Sequence, residues 1–169
     1  MPVLSAKDIR RLIENTPPLI EGYLSLDEQV QPNGFEMTLR DVAALETAGY
    51  VAASNKDRVV SKLKTMPFDS AGNIKLKPGS YMITYNEVVH IPKNIMALGR
   101  PRSSLLRCGV NVGLAVWDAG YEGRSQSLLI VYNPKGFTVQ KNARVAQLVF
   151  LTLTGETEGY KGVYQGENI

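Results

Sequence analysis

The chain has 169 residues, 44% apolar and 21% charged, with a net charge of +3, which fits one globular domain with a buried core and excludes a disordered or strongly polybasic protein. Its longest apolar runs, residues 128–131 and 148–151, have the length of strands, and its basic residues are scattered; this argues against a membrane protein and a nucleic-acid surface, and for an anionic small molecule. Cys108 is the only cysteine and His90 the only histidine, so no internal disulfide is possible, a catalytic thiol is disfavoured, and a reducing cytoplasmic compartment is expected.

Taken in order, the chain opens on a helix signal. Ser5 with Asp8 three residues on forms a cap, and Ile9, Leu12 and Ile13 make one apolar stripe that ends before Pro17-Pro18. Pro32-Asn33-Gly34 is a turn. After it Phe35, Met37 and Leu39 alternate with Glu36 and Thr38 as in a half-buried strand, which puts Glu36 on the solvated face. Residues 42–45, 50–53 and 59–63 are compatible with strands or with helix pieces. Beyond them the signal is β: Lys77-Pro78-Gly79 turns, residues 80–85 alternate, 88–91 follow, Pro92-Lys93-Asn94 turns again, and 95–98 form another short strand. Short strands at regular intervals predict a sandwich or barrel. His90 lies within one of them and is assigned no role.

Residues 99–133 concentrate the chemistry. GRPRSSLLRCG supplies Arg100, Arg102 and Arg107, permanently charged forks suited to phosphate oxygens, while Ser103 and Ser104 stand at a potential helix start whose N–H groups favour an anion. Asp118 and Tyr121 follow in VWDAGYEG. Each of these residues alone suits a solvated turn; the combination suits a phosphorylated nucleoside. Residues 128–132 then read as a strand, Asn133-Pro134-Lys135-Gly136 as a turn, 137–140 as a strand and 145–153 as a long apolar strand. Arg144 and Gln147 bracket the start of the last strand, and a spacing of three places them on opposite faces. The closing GETEGYKGVYQGENI is glycine-rich and aromatic without a core pattern. Composition favours a frayed tail over a lid.

Four ordered segments carry a family resemblance. RPRSSLLRCG resembles the arginine-serine-serine motif of the dCTP deaminase and dUTPase superfamily, VWDAGYEG its aspartate-x-x-tyrosine-x-glycine motif, NARVAQLVF a third motif and GFEMTL the first. The opening helix, QPNGFEMTL and the closing YQGE resemble the deaminase branch, and the whole is most similar to its archaeal dUTPase subgroup. The resemblance implies an all-β, distorted jelly-roll or β-clip barrel with a short N-terminal helix, assembled as a homotrimer. Residues 1–159 would form the β domain and 160–169 a tail able to close over the site.

The implied reaction is hydrolysis of dUTP to dUMP and pyrophosphate with Mg2+ held mainly through the substrate triphosphate. Catalytic roles fall on Asp118, which would hold the attacking water, and on Arg102 and Ser104. Ser103 and Arg107 would join these last two along the phosphates, from a neighbouring subunit. Tyr121 would stack on deoxyribose and exclude a 2′-hydroxyl, and the strand arms over residues 111–116, with Asn111, would read uracil. Arg144 and Gln147 belong to the third motif; Tyr160, Lys161, Tyr164 and Gln165 belong to the closing tail. Glu36 matches the first-motif acid, with a possible outer-shell role near magnesium and no direct metal ligand among the candidates. Two alternatives stand beside this reading: a dCTP deaminase or bifunctional deaminase, and a non-catalytic nucleotide-binding module. Deamination requires a proton shuttle, and the resemblance implies that the deaminases of the family use for it a glutamate on the strand after the tyrosine motif. Counted from either end that position falls on Ile130 or Leu128, and residues 124–133 contain no acid.

Overall fold

The computed structural model describes residues 2–169. It is mostly β. Helix α1 (Ala6–Ile13) begins as expected, with the Ser5 hydroxyl accepting from the Asp8 N–H and the Asp8 carboxylate accepting from the Ser5 N–H, and it buries Ile9 and Ile13. Hydrogen bonds from Ser5 hold the Asp8 carboxyl below its ordinary pKa. Strand β1 (Ile20–Glu21), helix α2 (Leu26–Gln29) and strand β2 (Val30–Gln31) lead through the Pro32-Asn33 turn into β3 (Gly34–Leu45). A single 3-10 turn (Asn55–Asp57) separates β3 from β4 (Leu63–Met66), β5 (Asn73–Leu76), β6 (Gly79–Tyr85), β7 (Val88–His90) and β8 (Ile95–Pro101). Helix α3 (Ser103–Arg107) precedes β9 (Val110–Gly113), β10 (Val116–Trp117), β11 (Glu122–Gly123), β12 (Gln126–Val131), β13 (Phe137–Gln140) and β14 (Arg144–Thr152).

The 12-residue strand β3 is the hinge of the architecture. Its first half pairs with β2 and β14, its second half with β6 and β4, and its pairing register shifts between Leu39 and Asp41. A strand that bends at such an irregularity passes from one sheet to another and curls the assembly. Hydrogen bonding then runs β10-β8-β14-β3-β6-β12-β9, with a small sheet β1-β7-β11 and a ribbon β13-β5 beside it. Phe35, Met37, Leu39, Ile83, Leu129, Leu148 and Phe150 lie within the core, each contributing about 1.5–3 kcal/mol by leaving water.

The structure corrects two expectations from spacing. Residues 34–39 are all buried rather than alternating, because β3 is covered on both faces, and Glu36 is only 5% exposed. In β14 the register slips between Arg144 and Ala146, leaving Val145 as an extra residue. That bulge restores Arg144 and Gln147 to one face, where both are half-buried while Val145 and Ala146 are buried. Residues 50–53 and 59–63 form neither long strands nor helices; they contribute one bridge, between Tyr50 and Val59, and the start of β4.

The β6–β7 turn carries Glu87, which is fully buried. Its carboxylate accepts from Gln29 Nε2 (2.7 Å), the Thr38 N–H (2.9 Å) and the Thr38 hydroxyl (2.5 Å). Burial raises its pKa above the ordinary carboxylate value, opposed by the hydrogen bonds from Thr38 and Gln29.

Candidate active site

Asp118 opens a turn that the fold holds rigidly. The Tyr121 N–H donates to the Asp118 carbonyl (3.1 Å), and Gly120 and Tyr121 exchange backbone bonds with Ile91. Gly120 has φ +81°, a conformation costly for other residues, and a Cβ there would lie 2.6 Å from Gly159 Cα. The turn thus projects Asp118 into solvent while it buries Tyr121 to 6% exposure. Both line a cavity of about 710 Å³, together with Trp117, Ser125, Gln126, Tyr160, Tyr164 and Glu167 on one side and the 49–63 excursion on the other. That excursion presents Tyr50, Val51, Val59 and Val60 as exposed apolar side chains. One wall is therefore apolar and the other carries carboxylate and hydroxyl groups, a composition suited to a nucleoside.

The C-terminal tail packs against this turn, contrary to the fraying expected from composition. The Tyr160 N–H donates to the Ala119 carbonyl, the Gly166 N–H to the Glu122 carbonyl and the Arg124 N–H to the Glu167 carbonyl, each at 2.8–2.9 Å. Gln165 bridges the same segment, its Oε1 accepting from the Glu122 N–H and its Nε2 donating to the Gly120 carbonyl. Arg58, from the excursion, stacks 5.4 Å above the Tyr164 ring. Tyr121 meets Tyr160 edge-on at 5.7 Å, and its hydroxyl donates to Glu167 Oε1 at 2.7 Å. Burial is the main reason the Tyr121 phenol is pushed well above its ordinary pKa, and burial likewise raises that of Glu167.

The cationic residues gather elsewhere. Arg102, Ser104 and Arg144 line a second cavity of about 440 Å³ with Glu28, Thr38 and Asn142. Arg102 Nε lies 2.5 Å from Glu36 Oε1 and Arg144 Nη1 lies 3.2 Å from Glu36 Oε2, so one buried carboxylate orients two guanidiniums. Arg144 also donates to the Glu28 carbonyl at 2.7 Å. Helix α3 starts at Ser103 as expected, and Ser103, Ser104 and Arg107 are exposed on it.

Of the other candidates, Asn111 folds its Oδ1 onto the Val112 N–H, Gln147 packs against Gly34, and Lys161 pairs with Glu158 at 3.0 Å. The structure therefore brings Asp118, Tyr121, Tyr160 and Tyr164 around one cavity and Arg102, Ser104 and Arg144 around another. Sequence reasoning passed over Glu167, Trp117, Ser125 and Arg58. Glu167 stands in the YQGE segment already singled out, but its contact with Tyr121 spans the fold and leaves no local spacing to read.

A family model described as dCTP deaminase-like matches residues 3–153, and the chain belongs to that family. Among its relatives, a probable deoxyuridine 5′-triphosphate nucleotidohydrolase of Methanosarcina mazei is 50% identical over 169 residues, covering 99% of each chain. Another, of Archaeoglobus fulgidus, is 48% identical over 169 residues and covers 100% of this chain and 99% of its own. Among solved structures, a 2′-deoxycytidine 5′-triphosphate deaminase from Agrobacterium tumefaciens superposes with a TM-score of 0.66 at 20% identity, over 88% of this chain and 47% of that one. EIAV dUTPase superposes with a TM-score of 0.52 at 15% identity, over 85% of this chain and 95% of its own. These two share the fold.

Proposed function

We propose that this chain is a cytoplasmic dUTP diphosphatase, hydrolysing dUTP to dUMP and pyrophosphate, and that it works as a homotrimer of jelly-roll-like domains. Full-length relatives named for that activity support the reaction. The observation that carries the assembly is the division of the candidate residues: Asp118 and Tyr121 line one cavity, and Arg102, Ser104 and Arg144 line another. A second copy of the chain brings its Arg102, Ser103, Ser104 and Arg107 to the Asp118 cavity of the first.

In this mechanism the base and sugar enter the 710 Å³ cavity, against the apolar excursion and the Tyr121 ring. Asp118 takes a proton from water as the water oxygen bonds to the α-phosphorus; the bond from that phosphorus to the bridging oxygen breaks, and pyrophosphate leaves with the electron pair. Arg102 and Arg107 absorb the charge that develops on the phosphate oxygens. Magnesium is an oxygen-seeking ion that keeps several waters and binds through substrate phosphates. Asp118, exposed and without a side-chain hydrogen-bond partner among the described residues, fits contact with such a water. When bound, the ion neutralises triphosphate charge. Glu36 is committed to Arg102 and Arg144, so its part is to aim those arginines rather than to stand near the metal. Tyr160, Lys161, Tyr164 and Gln165 belong to a tail that closes over bound nucleotide, and Arg144, Gln147 and Asn111 shape the strands behind it.

Strand β12, Gln126–Val131, bears no acid to shuttle a proton to a cytosine amine. Incubation with dUTP and dCTP separately, with pyrophosphate and ammonia measured, tests the assignment. Pyrophosphate from dUTP without ammonia from dCTP is expected; ammonia at a comparable rate would overturn it.

A further inference from the structure

Tyr121 is held by more groups than its turn supplies, and two of them belong to the last ten residues. Its hydroxyl donates to Glu167 Oε1 at 2.7 Å and lies 3.3 Å from Ser125 Oγ. Ser125 Oγ in turn accepts from Trp117 Nε1 at 2.6 Å. Trp117 has only a donor to offer, and the Glu167 carboxylate only acceptors. The bonds therefore run in one direction: indole N–H to serine oxygen, serine O–H to phenol oxygen, phenol O–H to carboxylate. The carboxylate at the end fixes that polarity, and with it the rotation of the phenol. Gly123 closes the remaining side, since a Cβ there would sit 2.5 Å from the phenol oxygen, and the Tyr160 ring stands against the tyrosine edge.

From this geometry we infer that Glu167 is a positioning residue for sugar selection: its carboxylate locks the Tyr121 ring in the pose that leaves no space for a 2′-hydroxyl. Discrimination against ribonucleotides is then a property of the tail-closed protein only. With the tail released, the phenol loses both Glu167 and Tyr160, and Ser125 alone directs its hydroxyl. The inference rests on the reading of Tyr121 as the sugar contact. The main chain of Glu167 is tied down independently of its side chain, through the bond from the Arg124 N–H to its carbonyl and that from the Gly166 N–H to the Glu122 carbonyl. Removing the carboxylate therefore separates ring positioning from tail docking.

The test compares full-length wild type, Glu167→Ala, Glu167→Gln and Tyr121→Phe with dUTP and with UTP, reading kcat/KM for each and the thermal midpoint. Glu167→Ala should lower the dUTP-to-UTP ratio by about tenfold or more, with the larger change on UTP and the midpoint nearly unmoved. Glu167→Gln, whose carboxamide oxygen still accepts from the phenol, should keep the ratio within about threefold of wild type. Tyr121→Phe removes the same bond from its other end and should resemble Glu167→Ala. An unchanged ratio in Glu167→Ala would overturn the inference, as would a wild type that does not distinguish the two sugars. A wild type that releases no pyrophosphate from dUTP would instead overturn the hydrolase assignment. The affinities of dUMP and UMP, measured by calorimetry on the same proteins, would then decide the inference by the same ratio.

Discussion

Arg102 and Glu36, 66 residues apart in the chain, meet through a guanidinium Nε and a carboxylate oxygen at 2.5 Å, beside the cationic cavity that Arg102 lines. Glu36 is nearly enclosed while Arg102 keeps 30% of its side chain in solvent, so the carboxylate serves as anchor and the guanidinium as the group presented. Glu36→Gln keeps the shape and removes the charge that both arginines face. Stability should fall by about 1.5–3 kcal/mol, the usual worth of a hydrogen bond to a charged group, and kcat/KM for dUTP should fall with it. Urea denaturation beside steady-state kinetics checks both; a variant matching wild type in each would remove Glu36 as the anchor.

Asp118→Asn preserves the size of the proposed base and removes its capacity to accept a proton. Single-turnover hydrolysis should slow by roughly two to four orders of magnitude while dUTP binding persists. The side chain is exposed and makes no hydrogen bond or ion pair among the described residues, so the thermal midpoint should stay where it is. Near-normal hydrolysis would dismiss Asp118 from the mechanism.

Shared sites predict complementation. Arg102→Ala and Asp118→Asn chains, each inactive alone, should regain part of the wild-type rate when unfolded together and refolded as mixed trimers. Sedimentation of the wild type should give three chains. A fully active monomer would contradict the division of the site between copies.

Truncation after Gly159 removes Tyr160, Tyr164, Gln165 and Glu167 but no strand of the main sheet. The protein should still fold, with turnover on dUTP reduced by roughly an order of magnitude or more because the cavity no longer closes. Circular dichroism and pyrophosphate release together test this; unchanged turnover would return the tail to a purely passive role.

Glu87 makes a prediction about pH. Burial raises its folded-state pKa, so between the ordinary carboxylate value and the raised one the native chain binds more protons than the unfolded chain. Stability therefore decreases as pH rises through that window and levels off above it. Glu87→Gln should abolish this slope. Its amide nitrogen, in either orientation, also faces an N–H donor, the Gln29 amide or the Thr38 backbone, which should cost about 1–3 kcal/mol at the acid end. Unfolding free energies across that pH range decide it.

What the sequence discloses here follows the range of the interactions. The cap of α1 was legible because Ser5 and Asp8 satisfy each other within one turn, and the start of α3 at Ser103 is equally local. Strand β5 was missed, although Ile74 and Leu76 alternate with Asn73 and Lys75 and it pairs along its length with β13. Glu36 was misread as solvated because its partners, Arg102 at the start of α3 and Arg144 on β14, are set beside it only by the closed fold. The faces of Arg144 and Gln147 were inverted by one bulged residue, Val145, which no alternation rule anticipates. The tail lacked a core pattern because it docks through backbone groups of residues 119–124, which have no side-chain signature.

Strand β3 also determines how the molecule comes apart. Because its two halves belong to different sheets and its ends pair with β2 and β4, neither sheet detaches while the other remains. Its amides should therefore exchange with solvent only when the whole domain opens. Assembly has the converse constraint: residue 36 must find residue 147 before the hinge is complete, a closure so distant in the chain that folding belongs to the slow regime of nonlocal β proteins.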